Sequence, residues 1–344
     1  MARADTPPPR ATMLDVARLA GVGLKTVSRV VNGEPGVADA TRIKVLRTAE
    51  QLSYRHNFAA SNLRRAGTRT GMIGAVVQDI DNRFSAYLLR GLEDAARRRG
   101  ASMLTSFLDE DPDRERAQVK ALIGHRVDAL VLMPATPNHE YLLSEMRAGL
   151  PIVFVDRLPH GIDVDSVTVD NRAGARQAVR HLLKHGHRRI ALIGDLPQIE
   201  TARLRREGYE QALAEAGVDL DASLLLVGNR TEADAAGVVR ELMATVDPPS
   251  AIFTTSNRIS AGALDALHRL DLVGRVAIVG FDDFPLADLI DPPLTVIQQD
   301  IEALSSEVVT RLFARLDGDA SLPEKVVLPV RLVERGSGEI PFTP

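Results

Sequence analysis

Residues Leu14–Asn32 read LDVARLAGVGLKTVSRVVN, and the apolar positions Val16, Ala17, Ala20, Val22, Val27, Val30 and Val31 fit two short helices broken at Gly21. Ala17 is small where the helices would cross, Gly21 permits a tight turn, and Val22, Val27 and Val30 close a miniature core. This is the spacing of a helix-turn-helix. A third helix is expected over Asp39–Leu52, where Ile43, Val45, Leu46, Ala49 and Leu52 supply an apolar stripe to cover the other two. With the valines turned inward, Leu24, Lys25, Ser28 and Arg29 point outward, as the residues of a helix lying in a DNA major groove must. Arg29 can grip a guanine edge bidentately or clamp a phosphate, Lys25 can reach either, and Leu24 can pack on a thymine methyl. The competing reading of Arg29 is a surface ion pair with Asp15 or Glu34.

Charge agrees with a polyanion partner for this segment. Residues 1–70 hold 12 Lys and Arg against 5 Asp and Glu, whereas residues 71–344 hold 30 against 41, so a net +7 head precedes a net −11 body. Lys and Arg placed along phosphates release condensed counterions, which favours nucleic acid for the head and disfavours it for the body. At 344 residues the chain is long enough for two or three compact units. It contains no cysteine, which excludes disulfides, thiolate metal sites and cysteine nucleophiles. The first ten residues, MARADTPPPR, lack the apolar segment of a signal peptide, and no stretch of 18 apolar residues follows. A soluble cytoplasmic protein with no membrane partner is expected.

The run Thr12–Asn32, TMLDVARLAGVGLKTVSRVVN, resembles the lac repressor (LacI/GalR) family of bacterial transcriptional regulators, and the similarity continues over nearly the whole chain. The resemblance implies that Thr12 touches phosphate beside the first helix, that Leu24, Lys25 and Arg29 face bases, and that Thr26, Ser28 and Asn32 hold the DNA backbone. It also implies a hinge helix in NFAASNLRR, residues 57–65, which folds when two copies meet in the minor groove. There Leu63 would wedge open the central base step, with Ala60 as its small neighbour. Nine residues are too few for a stable isolated helix, so this segment should form only with help; alternatively Leu63 packs on the body. The chain departs from the family at Gly23 and Ala38, both helix-start positions, and at His56, where proline is usual.

Beyond Met72 the chain alternates apolar runs with amphipathic stretches: Met72–Val77, Ala101–Phe107, Ala129–Met133 and Ile152–Val155, then a second series of Ser166–Val169, Ile190–Ile193, Leu224–Val227, Ala251–Thr254 and Val276–Val279. Successive βα units give parallel sheets, and two series give two lobes. The fold expected is therefore an α-helical helix-turn-helix head plus an α/β two-lobed core of two parallel doubly wound sheets. The phrases MIGAVVQDIDNRF, VFVDR, TARLRREGYEQAL and IVGFDDFPLADLIDPPLTVIQQD are similar to the family's periplasmic-binding-protein-like core, in which ligand binds between lobes. Open α/β sheets gather ligand groups at strand C-termini, where these phrases fall. The resemblance places the pocket on Asp79, Phe84, Asp156, Arg205, Glu232, Ser256, Asp282 and Gln299. Carboxylates and Arg can grip hydroxyls and an aromatic face can stack on a sugar ring, so the effector expected is a small polar carbohydrate or derivative. Asp156, Arg205 and Asp282 read alternatively as an interlobe ion network. Arg83 replaces a usual proline and Ser256-Asn257 a usual Asn-Asp pair, so no particular effector can be inherited.

The boundaries expected are a tail over 1–11, a DNA-binding domain over 12–56 and a hinge and linker over 57–70. The core follows over 71–335, and a C-terminal tail over 336–344. Within the core the N-lobe takes about 71–165 and 299–327, and the C-lobe about 166–298 and 328–335. His181, His185 and His187 cluster near a helix C-terminus, where the helix dipole accounts for them without a metal. With no P-loop, G-x-S-x-G or H-E-x-x-H motif, neither cofactor nor catalysis is expected. The partners expected are a pseudo-palindromic double-stranded DNA operator, the effector and a second copy of the chain. No heptad pattern beyond Leu316 supports a tetramer. The runner-up is an effector-binding module related to sugar-transport binding proteins, without a regulatory response.

Overall fold

The computed structural model describes residues 11–31, 34–54 and 69–343. They fall into two compact units, residues 1–70 and 71–344.

In the first unit, α1 (Met13–Ala20), α2 (Leu24–Val31) and α3 (Asp39–Gln51) enclose a core of Val16, Ala17, Ala20, Val27, Val30 and Val45. Thr12 starts α1 with a capping box: the Asp15 N–H donates to the Thr12 hydroxyl at 3.3 Å while the Asp15 carboxylate accepts the Thr12 N–H at 2.9 Å. Gly21 ends the helix in the left-handed region, φ 63°, which turns the chain sharply into α2. Ala38 starts α3 without a side-chain cap, as its methyl dictates. One detail of the expected stripe fails: Val45 is buried, but Ile43 and Leu46 are about half exposed, at 52% and 50%. Asn32, and the hinge positions Ala60 and Leu63, lie outside the described residues.

The second unit contains two six-stranded sheets. Its first lobe runs β1 (Met72–Val77), α4 (Arg83–Arg98), β2 (Ser102–Phe107), α5 (Pro112–Gly124), β3 (Ala129–Leu132), α6 (Leu143–Arg147), β4 (Ile152–Val155) and β5 (Asp165–Val169). The chain then crosses to α7 (Asn171–Lys184), β6 (Ile190–Ile193), α8 (Glu200–Glu215), β7 (Leu225–Leu226), α9 (Glu232–Met243), β8 (Ala251–Thr254), α10 (Asn257–Arg269), β9 (Ala277–Phe281) and β10 (Thr295–Gln299). It returns for α11 (Ile301–Leu316) and β11 (Lys325–Leu328), and crosses a last time into β12 (Val330–Val333). Strand orders are β11-β5-β4-β3-β1-β2 and β12-β10-β9-β8-β6-β7. Alternation along β1 shows why both faces are covered: Ile73, Ala75 and Val77 join the core under α4 and α11, while Val76 joins that under α5. Asn82, Asp111, Asp170, Thr231, Ser256 and Asp300 start helices with side-chain oxygens that accept backbone N–H groups.

Three expectations are corrected. Ser166–Val169 belongs to the first sheet, not the second, because β5 pairs in parallel with β4, Val153 opposite Asp165, and the chain crosses only afterwards. The N-lobe therefore extends past 165. The second sheet is mixed, since β12 runs antiparallel to β10 and arrives directly from β11 without a helix to reverse it. Finally, the segment expected as a tail from 336 is packed: Ser337 is buried and donates to the Ile278 carbonyl at 2.6 Å, and the Phe342 N–H donates to the His185 carbonyl at 3.0 Å.

Gly262 on α10 lies against the backbone of Glu232 on α9, so closely that a Cβ would collide with the Glu232 carbonyl. Backbone cannot step aside as a side-chain tip can. Gly262→Ala should therefore lower stability by about 1–3 kcal/mol in denaturant melts. Gly237→Ala, with only the tip of Arg240 at 3.9 Å, should instead gain about 0.5–1 kcal/mol from helix propensity.

Candidate functional site

The outward face of α2 carries Leu24, Lys25 and Arg29 exposed, with Thr26 and Ser28 half-buried between them. Packing of Val27 and Val30 forces this orientation. The Arg29 Nε lies 3.8 Å from a Glu34 carboxylate oxygen, so the ion pair weighed against a base contact is present in the structure. The Arg29 side chain is 45% exposed, and so open a pair contributes little and yields readily to a better anion.

The C-terminal ends of the strands in both sheets supply the second constellation. Asp79 follows β1, Glu110 follows β2, and Asp156 and Arg157 follow β4. Across the cleft, Asp195 follows β6, Thr255 and Ser256 follow β8, Asp282 follows β9, and Gln299 ends β10. Arg205 projects from α8 and is 5% exposed. Its Nε donates to Asn171 Oδ1 at 2.8 Å, and its Nη1 donates to the Thr255 carbonyl at 2.6 Å and to Asp282 Oδ2 at 3.4 Å. The guanidinium lies 3.7 Å from the centroid of the Phe281 ring. The second Asp282 oxygen accepts from Gln299 Nε2 at 2.6 Å. All of these groups but Gln299 lie wholly in the second lobe, and Gln299 stands where the chain crosses back, so Arg205 and Asp282 form an intralobe pair.

Asp156 faces them from the first lobe. It is 7% exposed, its carboxylate accepts no hydrogen bond among the described residues, and its nearest cation is Arg157 Nε at 3.6 Å. Arg157 is engaged elsewhere, by Glu110 at 2.6 and 2.7 Å and by the Pro134 carbonyl at 3.0 Å. Burial pushes Asp156 up to about 6, with the Arg157 and Arg205 charges opposing. Burial likewise raises Asp282 and Asp195. Asp156 and Asp282 both adopt the left-handed backbone region, φ 71° and 70°, which strains a residue other than glycine and marks both strand ends. Gln299 Oε1, Arg157 Nε and Asn257 Nδ2 are buried without a hydrogen-bond partner. Phe84, at 8% exposure, and Tyr87 wall one end of a cavity of about 290 Å³ that Asp282, Phe284 and Gln299 complete.

The remaining expected positions are less central. The Asp79 carboxylate accepts from Arg258 Nη2 at 2.7 Å and from the Asp81 N–H at 2.8 Å; these bonds and the Arg258 and Arg230 charges outweigh burial and hold its pKa below the usual range. Ser256 caps α10. Glu232 is exposed at the start of α9, and no hydrogen bond or ion pair joins it to the buried group among the described residues. Sequence reasoning passed over Glu110, Arg157, Asn171, Asp195, Thr255 and Arg258. Each stands just after a strand or in the first turn of a helix, the signal that located the others. Two of the three histidines bind the C-terminal segment, His181 Nε2 meeting Glu339 at 2.6 Å and His187 Nε2 the Ile340 carbonyl at 2.8 Å, while His185 Nδ1 meets the His181 carbonyl at 2.9 Å at the end of α7. His181 and Glu339 form, with Glu334, the one grouping of metal-ligand type among the described residues. No described helix is long and apolar enough to cross a membrane.

Residues 12–57 match the bacterial regulatory proteins of the lacI family, and residues 179–338 match the periplasmic binding protein-like domain. The chain is 32% identical over 332 residues to catabolite control protein A of Priestia megaterium, covering 95% of this chain and 98% of that protein. It is 32% identical over 334 residues to the transcriptional regulator GalR of Escherichia coli, covering 96% of each. The chain belongs to the lacI family. Among solved structures it resembles the lac repressor dimer bound to operator and an anti-inducer (TM-score 0.83, 25% identity, 96% of this chain and 99% of that one). It also resembles the regulator CelR in complex with cellobiose (TM-score 0.70, 32% identity, 95% and 100%). It is thus a DNA-binding transcriptional regulator with a helix-turn-helix head and a two-lobed core of two mostly parallel sheets, as expected.

For this lacI-family core the raised pKa of Asp156 has a measurable consequence. Between its ordinary value and about 6 the folded chain binds the proton more tightly than the unfolded chain, so stability falls as pH rises through that window. Asp156→Asn, which keeps the shape and tolerates the left-handed backbone, removes the penalty. The effector-free variant should be more stable than the parent at pH 7.5 by roughly 2–3 kcal/mol, with the gain shrinking toward pH 4.5. Equal melting curves at both pH values would show that Asp156 carries no such cost.

Proposed function

We propose that this regulator represses transcription by binding a pseudo-palindromic operator as a homodimer in the cytoplasm, and that a small polar effector in the interlobe cleft controls its operator affinity. The observation that carries the effector reading is a pair of buried acceptors that take no hydrogen bond among the described residues, the Asp156 carboxylate, whose close cation is Arg157 Nε at 3.6 Å, and Gln299 Oε1, beside the Arg205–Asp282 pair. Vicinal hydroxyls donate to such acceptors, and the aromatic wall at Phe84 suits a sugar ring. The named relatives support a carbohydrate: a ribose operon repressor of Escherichia coli is 32% identical over 331 residues, and CelR is solved with cellobiose.

In this reading residues 12–56 form the reading head, with Leu24, Lys25 and Arg29 on bases and Thr12, Thr26, Ser28 and Asn32 on the backbone. Residues 57–70 are the hinge, where Ala60 and Leu63 meet the minor groove, and the core senses effector through Asp156, Arg205, Asp282, Gln299 and Phe84. Ser256 shapes the wall as the cap of α10, and Glu232 stands at the rim. Ligand and operator then alter each other's affinity reciprocally, because each acts on the same two-state core.

Two experiments test it. Arg29→Ala should cost roughly 1–3 kcal/mol of operator binding and relax preference at one base pair per half-site, while replacing Lys44, exposed on α3, by Ala should weaken all sequences alike if that side chain meets only phosphate. Unchanged specificity in a Arg29→Ala binding selection would refute the base contact. A thermal-shift screen of the full chain against ribose, galactose, cellobiose and adenine should find stabilisation by a sugar, about 2.7 kcal/mol at a hundredfold excess over its dissociation constant. Asp156→Asn should abolish that shift. Stabilisation by adenine alone would overturn the carbohydrate reading.

A further inference from the structure

Arg258 is the second residue of α10, in the second lobe, and Asp79 follows β1 in the first. Their bond therefore spans the cleft. The Arg258 Nη2 to Asp79 Oδ2 distance is 2.7 Å, and the two side chains are 24% and 30% exposed, so the pair is partly shielded from solvent yet placed at the rim. Both ends are held: Asp79 also accepts the Asp81 N–H at 2.8 Å, and Arg258 Nη1 reaches the Arg230 carbonyl at 3.5 Å.

The strand orders say where in the cleft this bond sits. The chain crosses between lobes at Val169–Asn171, Gln299–Ile301 and Leu328–Val330, all on the side of β5, β11, β10 and β12. Three steps separate β1 from β5, and two separate β8, which precedes Arg258, from β10. At ~4.8 Å per strand the bond lies about 10–14 Å from the crossovers. A hinge rotation of ~10° would part its two ends by ~2 Å, beyond hydrogen-bonding reach. A second bond across the cleft, from the Leu158 N–H to Glu200 Oε2 at 2.8 Å, joins a carboxylate to backbone and opposes no charge.

We propose that Arg258 and Asp79 form a clasp that holds the two lobes closed in the absence of effector, so that Asp79 serves closure. The inference concerns the cleft read above as the effector site, but the clasp stands or falls without any effector. Because the chain has no cysteine, spin labels can be placed at will. Lys120→Cys on α5 and Glu241→Cys on α9 are exposed, one on each lobe. Pulsed dipolar measurements on the full-length, effector-free protein, with labelled chains diluted into an excess of unlabelled ones so that a dimer carries at most one labelled chain, should give a single narrow distance for the labelled parent. Asp79→Ala or Arg258→Ala should broaden and displace it by several ångströms, and the exchanged pair Asp79→Arg with Arg258→Asp should restore it. An unchanged distribution in both single variants would overturn the clasp. So would opening that the exchanged pair fails to reverse, which would trace it to local damage. If the variants open as described but no sugar stabilises the parent, the clasp stands and the effector reading fails.

Discussion

Burying a guanidinium is tolerated only when its positive charge and its donors are met, and Arg205 shows how much of this core follows from meeting them. Its Nε holds Asn171 at the start of α7, its Nη1 holds the end of β8 through the Thr255 carbonyl and the end of β9 through Asp282, and its flat face rests on Phe281. Asp282 passes the connection on to Gln299, one residue before the chain crosses back to the first lobe. One side chain thus fixes the floor of the cleft and one of its hinges together. Groups that a ligand would touch are the groups that position the crossover.

The two lobes repeat one device. Asp156 follows β4, third from the edge in the order β11-β5-β4, and Asp282 follows β9, third in the order β12-β10-β9. Both adopt φ near 70°, and each donates its N–H to the neighbouring strand: Asp156 to the Val167 carbonyl at 3.0 Å, Asp282 to the Ile297 carbonyl at 2.9 Å. The left-handed turn lets the chain leave the sheet while the carboxylate stays aimed at the opposite lobe. Aspartate tolerates that conformation better than most residues, so position and chemistry select the same side chain. What differs is the hydrogen bonding: Asp282 accepts from Arg205 and Gln299, whereas Asp156 accepts from no described residue and has only the Arg157 charge at 3.6 Å.

Much of this was legible in the residues because strand ends are legible. Periodicity located the strands, and the phrases after them contained Asp79, Asp156, Asp282 and Gln299. The helix-turn-helix was readable from seven apolar positions and one glycine. Periodicity does not say which sheet a strand joins, which is why Ser166–Val169 was placed in the wrong lobe: its partners β4 and β11 are set by a short loop and by a segment some 160 residues away. Nor does it reveal partners distant in sequence. Arg258 and Glu110 acquire meaning only beside Asp79 and Arg157, which the sequence separates by 179 and 47 positions. Glu232, carried over by resemblance, stands with its side chain in solvent at the start of α9.

A buried carboxylate that accepts no hydrogen bond and has its nearest cation at 3.6 Å lowers stability at neutral pH, and a chain selected for stability alone would not keep one. In the effector reading proposed above, a ligand arrives to donate to Asp156. A hydroxyl that does so stabilises the ionised form, recovers part of the burial cost and draws the pKa of the group back down, so that binding near pH 6 releases a proton. In that reading the same molecule also reaches Asp282 or Gln299 from the other side. Its affinity therefore depends on the separation of the lobes, and a ligand shifts an equilibrium only by the difference between its affinities for the two states. In that reading Asp156, which accepts no hydrogen bond, faces an Asp282 that accepts two, and this asymmetry would allow a small neutral molecule to have such a difference.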